Sequence, residues 1–273
     1  MRNLGRYLTV LMFLTGATAT NFASEADIKI PDLSMVKFDG VGGMSGSALM
    51  YLGIVICVIG AAFGPTLPAG WRLAGAADFD GDGHTDYALF NPATGQTVIA
   101  YLSGLTVIDA AYGPPVPLGW ELVTAKDFNG DAYPDYVLYK VGTGETVIAY
   151  LNNIVVVGAG YGPTLPPGWN LIDVADFDSD GHPDYALFNS GTGQTVIGYL
   201  SGSTVIGAAF GPTIPLTWPL VATADVDGDG KPDYVLYNPV SGQTAIGYLV
   251  NNILVNAALG PTLPAGWSLV VTP

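Results

Sequence analysis

Aspartates in four short loops are the residues of this chain best suited to chemistry. The first loop reads DFDGDGHTD from Asp78 to Asp86. Carboxylates therefore stand at its positions 1, 3, 5 and 9, and the backbone carbonyl of His84 stands at position 7. Alternate residues of a tight loop can point inward, where their oxygens surround one hard cation. A set of oxygen ligands in a loop that turns at glycine favours calcium over magnesium or zinc.

Three further loops repeat this arrangement in the same register, so the sequence predicts about four structural calcium sites. Position 7 contributes its backbone carbonyl in each loop, whatever its side chain. The predicted ligands are Asp78, Asp80, Asp82, His84, Asp86, Asp127, Asn129, Asp131, Tyr133, Asp135, Asp176, Asp178, Asp180, His182, Asp184, Asp225, Asp227, Asp229, Lys231 and Asp233.

An ordinary explanation of these loops is that Asp-Gly runs form turns. That explanation accounts poorly for four loops in one register, which hold fifteen of the 23 acidic residues of the chain. Without a cation, three or four carboxylates in each loop repel one another at close range. The loop also resembles the first half of an EF-hand loop, but it lacks the glutamate at position 12 and its flanks are predicted strands, so we exclude an EF-hand.

The second loop is expected to be the weakest of the four sites. Asn129 replaces an aspartate at position 3, which removes one formal charge, and Ala132 replaces glycine at position 6. If position 6 needs a positive φ, alanine is strained there by roughly 1 kcal/mol. Lys126 precedes the first ligand and is expected to disfavour a cation.

These loops belong to a repeat of 49 residues, marked by Trp71, Trp120, Trp169, Trp218 and Trp267. In the first unit, strands are predicted at 71–77, 87–90, 97–102 and 105–111. Val, Ile, Tyr and Thr dominate the last three of these segments, and Gly, Pro, Asn or Ser stand at every junction. Four short strands per unit of this length predict an all-β fold, a β-propeller of four-stranded blades. Both faces of the strands are apolar, which predicts blades packed against blades.

The number of blades depends on the two ends of the chain. Residues 71–266 hold four units, and strands at 267–271 and within 49–66 complete a fifth blade that closes the ring. The alternative is four blades, with the apolar run at 48–63 as a membrane anchor, although it is shorter than the about 20 residues that a spanning helix needs. The sequence favours five blades in a propeller over 49–273 and leaves the anchor open.

The unit resembles the VCBS/FG-GAP repeat of bacterial surface and secreted proteins and of the integrin α-subunit propeller. The resemblance covers about 57–273 and is carried by Trp-x-Leu, by DFDGDGHTDYALFN and by TGQTVIAYL. It implies a propeller with calcium in the loops between the first and second strands of each blade. It does not imply one function, since adhesion, lectin activity and scaffold roles all occur in the family.

The first 48 residues are predicted to serve export. Arg2 and Arg6 precede a short apolar stretch and small residues near Ala19, which is typical of a signal peptide, assigned to 1–24 and followed by a linker at 25–48. A short stretch before and within the apolar run is also similar to the start of membrane-bound pyrophosphatases. That match includes no catalytic motif and implies no such activity.

The composition and the lack of catalytic motifs exclude several classes of function. A net charge of −15 excludes nucleic-acid binding, and the single cysteine, Cys57, excludes an intrachain disulfide. We found no Ser–His–Asp or Cys–His set, and His84 and His182 have no second ligand set for zinc. The sequence therefore predicts no enzyme. It predicts an exported adhesion or scaffold module at the cell surface, with a multivalent lectin as the alternative and a metal-dependent hydrolase as the least favoured. Its protein or glycan partner is not identified.

Overall fold

The computed structural model describes residues 37–38, 44–45, 64–264, 267 and 269. The chain divides into two compact units, Met1–Gly64 and Pro65–Pro273. In the first unit, β1 (Lys37–Phe38) pairs antiparallel with β2 (Met44–Ser45). The predicted signal peptide at 1–24, most of the linker and the whole apolar run at 48–63 lie outside the described residues. None of the described residues belongs to a helix long and apolar enough to cross a membrane.

The second unit is an all-β propeller with four four-stranded blades between Pro65 and Thr262, which confirms the predicted fold class. Each blade is one antiparallel sheet whose strands pair in chain order. Blade 1 contains β3 (Arg72–Ala77), β4 (Asp86–Asn91), β5 (Gln96–Ser103) and β6 (Thr106–Tyr112). Blade 2 contains β7 (Trp120–Lys126), β8 (Asp135–Lys140), β9 (Thr146–Asn152) and β10 (Val155–Tyr161). Blade 3 contains β11 (Trp169–Ala175), β12 (Asp184–Asn189), β13 (Thr195–Ser201) and β14 (Thr204–Phe210). Blade 4 contains β15 (Leu220–Ala224), β16 (Asp233–Tyr237), β17 (Gln243–Val250) and β18 (Ile253–Thr262).

The first strand of every blade is innermost and carries a β-bulge at the same place. In blade 1 the register with β4 shifts between Leu73 and Gly75, and the other three blades shift at the equivalent residues. A bulge bends its strand and increases the local twist. The innermost strands contact their neighbours in the order β3, β7, β11 and β15. At Gly75 a Cβ atom would lie 2.9 Å from the backbone nitrogen of Ala125, so β3 and β7 approach too closely there for a larger residue.

The core lies between successive blades. Tyr136 of blade 2 is 1% exposed and packs in one cluster with Phe90 and Ile99 of blade 1. Its hydroxyl group fills the space beside Gly113, where a Cβ atom would come within 2.6 Å of both that hydroxyl and Thr97 Oγ1. Each following pair of blades repeats this contact, through Tyr185 and through Tyr234. Burial of one aromatic ring at each contact stabilises the array by about 2 kcal/mol.

The burial of the outermost strands differs from the sequence prediction. Both faces of the strands were expected to pack against other blades, but the apolar side chains of the fourth strands are exposed. In β10, for example, Val155 and Val157 are each about 60% exposed, and Tyr161 is 84% exposed. The period-two pattern identifies an apolar strand, but it does not show whether another blade covers that strand.

The fifth blade stays a prediction. No packing comparable to that between the other innermost strands joins β15 back to β3 within residues 64–264. Trp267 and Leu269 are described and lie in no strand, while the predicted N-terminal strands of this blade lie outside the described residues. Leu269 nevertheless lines a pocket together with residues of all four innermost strands. The described structure therefore shows four blades, which is compatible with either predicted blade number.

Candidate metal centre

Each acidic loop is shaped by the aspartate at its position 1, which accepts hydrogen bonds from the backbone of the loop itself. In blade 1, Asp78 Oδ1 accepts from Gly81 N at 2.7 Å, and Asp78 Oδ2 accepts from Gly83 N at 2.8 Å. The bond to position 6 recurs in every loop, from Ala132, Gly181 and Gly230. These bonds fold the loop into a tight turn and hold one carboxylate inside it.

The middle of each loop requires a left-handed backbone, as the glycine pattern predicts. Position 6 has a positive φ in all four loops, and it is +86° at Gly83 and +70° at Ala132. Position 4 also has a positive φ in all four loops. It is glycine in three of them, whereas the third loop has Ser179 there, with φ +64°. Non-glycine residues are strained in this region. Comparison of the four loop sequences identified the strained Ala132 but missed Ser179. Glycine at position 4 of the other three loops indicated a positive φ there as well.

The aspartate at position 9 is buried and anchors the loop to its blade. Asp184 is fully buried, and its two oxygens accept hydrogen bonds from Phe177 N at 3.0 Å and Leu200 N at 2.9 Å. Phe177 follows position 1 of the loop, and Leu200 belongs to β13. Equivalent pairs of bonds reach Asp86, Asp135 and Asp233. This structural role was not predicted from the sequence.

Burial raises the pKa of these anchoring aspartates, in spite of their backbone bonds. Desolvation is the largest cause, and nearby loop carboxylates add to it, while the two N–H donors oppose it. The pKa of Asp135 and that of Asp184 are raised to about 6. Those of Asp86 and Asp233 are raised for the same reasons. Burial therefore destabilises the ionised form of these aspartates, and a bound cation would offset that cost by compensating their negative charge.

Three of the four loops bring carboxylates together closely enough to share a cation. In the first loop, oxygens of Asp78, Asp80 and Asp86 all lie within 4.8 Å of one another. The third loop gathers Asp176, Asp178 and Asp184 in the same way, and the fourth gathers Asp225, Asp227 and Asp229. Position 5 joins the group only in the fourth loop. Its carboxylate accepts a hydrogen bond from the backbone of position 7 in all four loops, as Asp82 does from His84 N at 2.8 Å.

The second loop gathers no such group among the described residues. Asn129 Nδ2 instead donates a hydrogen bond to Asp131 Oδ2 at 3.1 Å, so the amide at position 3 engages an oxygen of the position 5 carboxylate. Lys126 has charged neighbours that the sequence did not show. Its charge interacts with Asp173 and Asp176 of the next blade, and burial lowers its pKa. Its electrostatic effect therefore reaches the third loop, while the lower affinity expected of the second loop stays a prediction.

Position 7 faces outward in the loops with histidine. The side chains of His84 and His182 are exposed, Tyr133 is partly buried, and Lys231 Nζ donates to Ser179 Oγ of the neighbouring loop at 2.7 Å. These side chains do not converge on the carboxylates of their own loops, and position 7 offers only its carbonyl there.

The donor set fits a hard divalent cation. All nearby donors are carboxylate or carbonyl oxygens, the carboxylates lie mutually close, and no thiol or imidazole competes in the described groups. Asp78, Asp80 and Asp86 would hold the ion in blade 1, Asp176, Asp178 and Asp184 in blade 3, and Asp225, Asp227 and Asp229 in blade 4. A bound ion would supply charge compensation and cross-linking of the loop.

The tryptophan and tyrosine residues that repeat once per blade belong to the core. Trp120 and Trp169 are partly buried and pack against buried clusters. Tyr101 is 9% exposed, and its hydroxyl group donates to Asn153 Oδ1 of the next blade at 2.6 Å. These rings are therefore engaged within the protein and do not form one open stacking platform per blade.

Comparison with known proteins supports the repeat. A family model described as FG-GAP-like repeat matches residues 176–236, which run from the third acidic loop to β16. The chain therefore contains an FG-GAP-like repeat within a β-propeller. No curated protein matches the chain.

Several solved structures have a distantly similar fold. A protein of unknown function from Bacteroides caccae is 13% identical with a TM-score of 0.42, over 71% of this chain and 63% of that one. The Tc holotoxin pore of Photorhabdus luminescens is 15% identical with a TM-score of 0.42, over 76% and 10%. Apo AztD from Citrobacter koseri is 14% identical with a TM-score of 0.38, over 74% and 50%. The chain spans less than two thirds of each, and at these values no argument about function follows.

Proposed function

We propose that this protein is an exported adhesion or scaffold module, a β-propeller whose acidic loops bind calcium as a structural ion. The observation that carries the proposal is the recurrence of three carboxylate groups, each with oxygens within 4.8 Å of one another, at equivalent places in three blades. Four bulged innermost strands and four loops of one shape make the same site several times, which favours a structural role of the ion over a single reaction centre.

The loops are poor supports for catalysis. A catalytic metal keeps an open position for water or substrate. In blade 1 the position 1 carboxylate is engaged by three backbone N–H groups, and the position 9 carboxylate by two more. The FG-GAP-like repeat is typically not enzymatic, so a metal-dependent hydrolase stays the least favoured function.

Export and surface location are part of the proposal. They rest on the basic and apolar leader at 1–24, and the run at 48–63 offers a possible anchor. Calcium sites of extracellular modules bind at about 10⁻⁴–10⁻³ M, which suits a protein exposed to millimolar calcium. A multivalent lectin with one aromatic sugar site per blade is less well supported, because the repeated tryptophan and tyrosine rings that the sequence offered for stacking, such as Trp120 and Tyr101, pack in the core.

Thermal unfolding tests the calcium sites. Millimolar calcium is expected to raise the melting temperature by several degrees over EDTA, because each occupied site adds on the order of 1 kcal/mol. Magnesium is expected to give a smaller shift. Equal midpoints in EDTA and in saturating calcium would contradict the proposal.

A triple variant assigns the effect to the loops. Asp80→Asn, Asp178→Asn and Asp227→Asn together remove one charge from each carboxylate group, at exposed positions where the metal-free fold should tolerate the change. The variant is expected to keep its midpoint in EDTA and to lose most of the calcium shift. Asp109→Asn, at an exposed aspartate of β6 outside the loops, is the matched control and is expected to keep the full shift.

A further inference from the structure

The start of the innermost strands forms a pocket of about 420 Å³, at the opposite end of those strands from the acidic loops. We call it the axial pocket. Leu122, Leu171, Leu220 and Leu269 form its apolar floor. They are the leucines of four Trp-x-Leu motifs, so the repeat itself brings them together at one place.

The polar rim of the axial pocket does not follow the repeat. The residue between tryptophan and leucine is Arg72 in the first motif, Glu121 in the second and Asn170 in the third, and all three line the pocket. The fourth motif has Pro219 at this place. Units that otherwise agree closely thus differ at the position that faces the pocket, and they place a cation, an anion and an amide there.

The rim groups have unused hydrogen-bonding capacity. Arg72 Nη2 donates to Glu121 Oε2 and, at 3.2 Å, to Leu122 O, while its other nitrogens and Glu121 Oε1 have no hydrogen-bond partner among the described residues. The side-chain amide of Asn170 has none there either. Arg72 also lies over the ring of Phe90, 5.2 Å from its centre, which holds the guanidinium group in place. Free donors and free acceptors are therefore presented side by side.

The electrostatics favour a neutral ligand over an anionic one. Arg72 and Glu121 compensate each other as an ion pair, and the net charge of −15 repels anions at long range. Hydroxyl groups both donate and accept hydrogen bonds, so a vicinal pair of hydroxyls matches this mixed rim, and a C–H face matches the leucine floor. The volume lies within the range of about 300–1,000 Å³ that is typical of small-molecule pockets.

We propose that the axial pocket binds one neutral saccharide unit per chain, held by Arg72, Glu121 and Asn170 above the leucine floor. This site is single because its polar rim does not repeat, which distinguishes it from a lectin with one site in each blade. The site includes no acidic-loop residue, so sugar binding and calcium binding can be tested independently of each other.

Isothermal titration of the full chain with neutral hexoses and disaccharides tests the proposal, in calcium and again in EDTA. We expect millimolar dissociation constants with one site per chain. A uronic acid of the same ring is expected to bind more weakly than the neutral sugar, because the net charge of −15 repels it. Absence of binding to every sugar, a stoichiometry of four, or preference for a charged sugar would overturn the proposal.

Variants locate the site. Asn170→Leu keeps the approximate size of the side chain and removes its hydrogen bonds, and it is expected to weaken binding about five- to tenfold. Gln194→Leu makes the same kind of change at an exposed amide outside the pocket and is expected to bind as the parent does. Asn170→Ser, which replaces the amide with one smaller hydroxyl group, is the second variant if Asn170→Leu folds poorly, and it is expected to bind more weakly than the parent. Equal affinity of Asn170→Leu or Asn170→Ser and the parent would overturn the assignment.

Discussion

Within each acidic loop, the aspartate at position 9 and the aspartates at positions 1, 3 and 5 lie in different surroundings. Asp184 is fully buried and satisfies two backbone N–H groups that belong to two different strands or loops. Asp178, six residues before it, is exposed and accepts a hydrogen bond from Asp180 N within its own turn. In this motif the buried aspartate thus anchors the loop and also belongs to the candidate ligand group, whereas the exposed aspartate is a candidate ion ligand only.

The largest expected effect is a loss of stability in the metal-free protein, which depends on the anchoring role alone. Asp184→Ala leaves two buried N–H groups without acceptors, at a cost of about 1–3 kcal/mol each, so the free energy of unfolding is expected to fall by roughly 2–5 kcal/mol. Asp178→Ala is the matched control and is expected to change it by less than about 0.5 kcal/mol in EDTA. Urea unfolding in EDTA measures both, and similar losses in the two variants would contradict the distinction.

The pH dependence of the metal-free protein sharpens the comparison. The folded pKa values of Asp135 and Asp184, about 6, are raised above the unfolded value, so the folded state binds more protons between about pH 4 and 6. The contribution of these groups to stability is fully present below the unfolded pKa and is lost as pH rises through the folded pKa. We expect the free energy of unfolding in EDTA to rise by about 1–2 kcal/mol from pH 7 to pH 5.

Calcium is expected to reverse this trend, because protons and the ion compete for the same carboxylates. The calcium-dependent shift in melting temperature should therefore shrink from pH 7 to pH 5. In Asp184→Asn, which cannot ionise at this position, the pH dependence in EDTA should be weaker than in the parent. An unchanged pH profile in that variant would show that other groups cause the dependence.

A smaller effect is expected from repair of the second loop. Asn129→Asp restores the carboxylate at position 3, and Ala132→Gly relieves a φ of +70°, worth roughly 1 kcal/mol. Calorimetric titration with calcium should then show a tighter class of site in the double variant than in the parent. An isotherm identical to that of the parent would rule out both the charge and the strain as causes of a weak second loop.

The smallest expected effect concerns the third loop. Ser179→Gly relieves a φ of +64° and is expected to stabilise the protein by up to about 1 kcal/mol, measured by urea unfolding in EDTA. It also removes the hydroxyl that accepts from Lys231 Nζ, which is exposed and contributes little. Ser203→Gly, at a residue outside the acidic loops, is the control for loss of a serine, and an equal gain there would contradict relief of strain at Ser179.

Much of the fold followed from the sequence because the repeat is local and strict. The four strands of blade 1 begin and end within about one or two residues of their predicted bounds, and the glycines at position 6 correctly indicated a positive φ that Ala132 shares. The predicted ligands at positions 1 and 3 also lie together in three loops. Strand patterns and turn glycines depend on near neighbours in the chain, which the sequence shows directly.

Other features depend on atoms brought together from distant parts of the chain, so only the tertiary structure decided them. The sequence could not show that Asp184 anchors the loop, because its partner Leu200 belongs to another strand, nor that Lys126 acts on Asp176 of the next blade. It could not show which apolar strand stays exposed, since burial depends on whether another blade lies against it. The sequence by itself determined the repeat, the strands and the acidic turns, whereas packing between units determined which aspartates are buried and where the axial pocket lies.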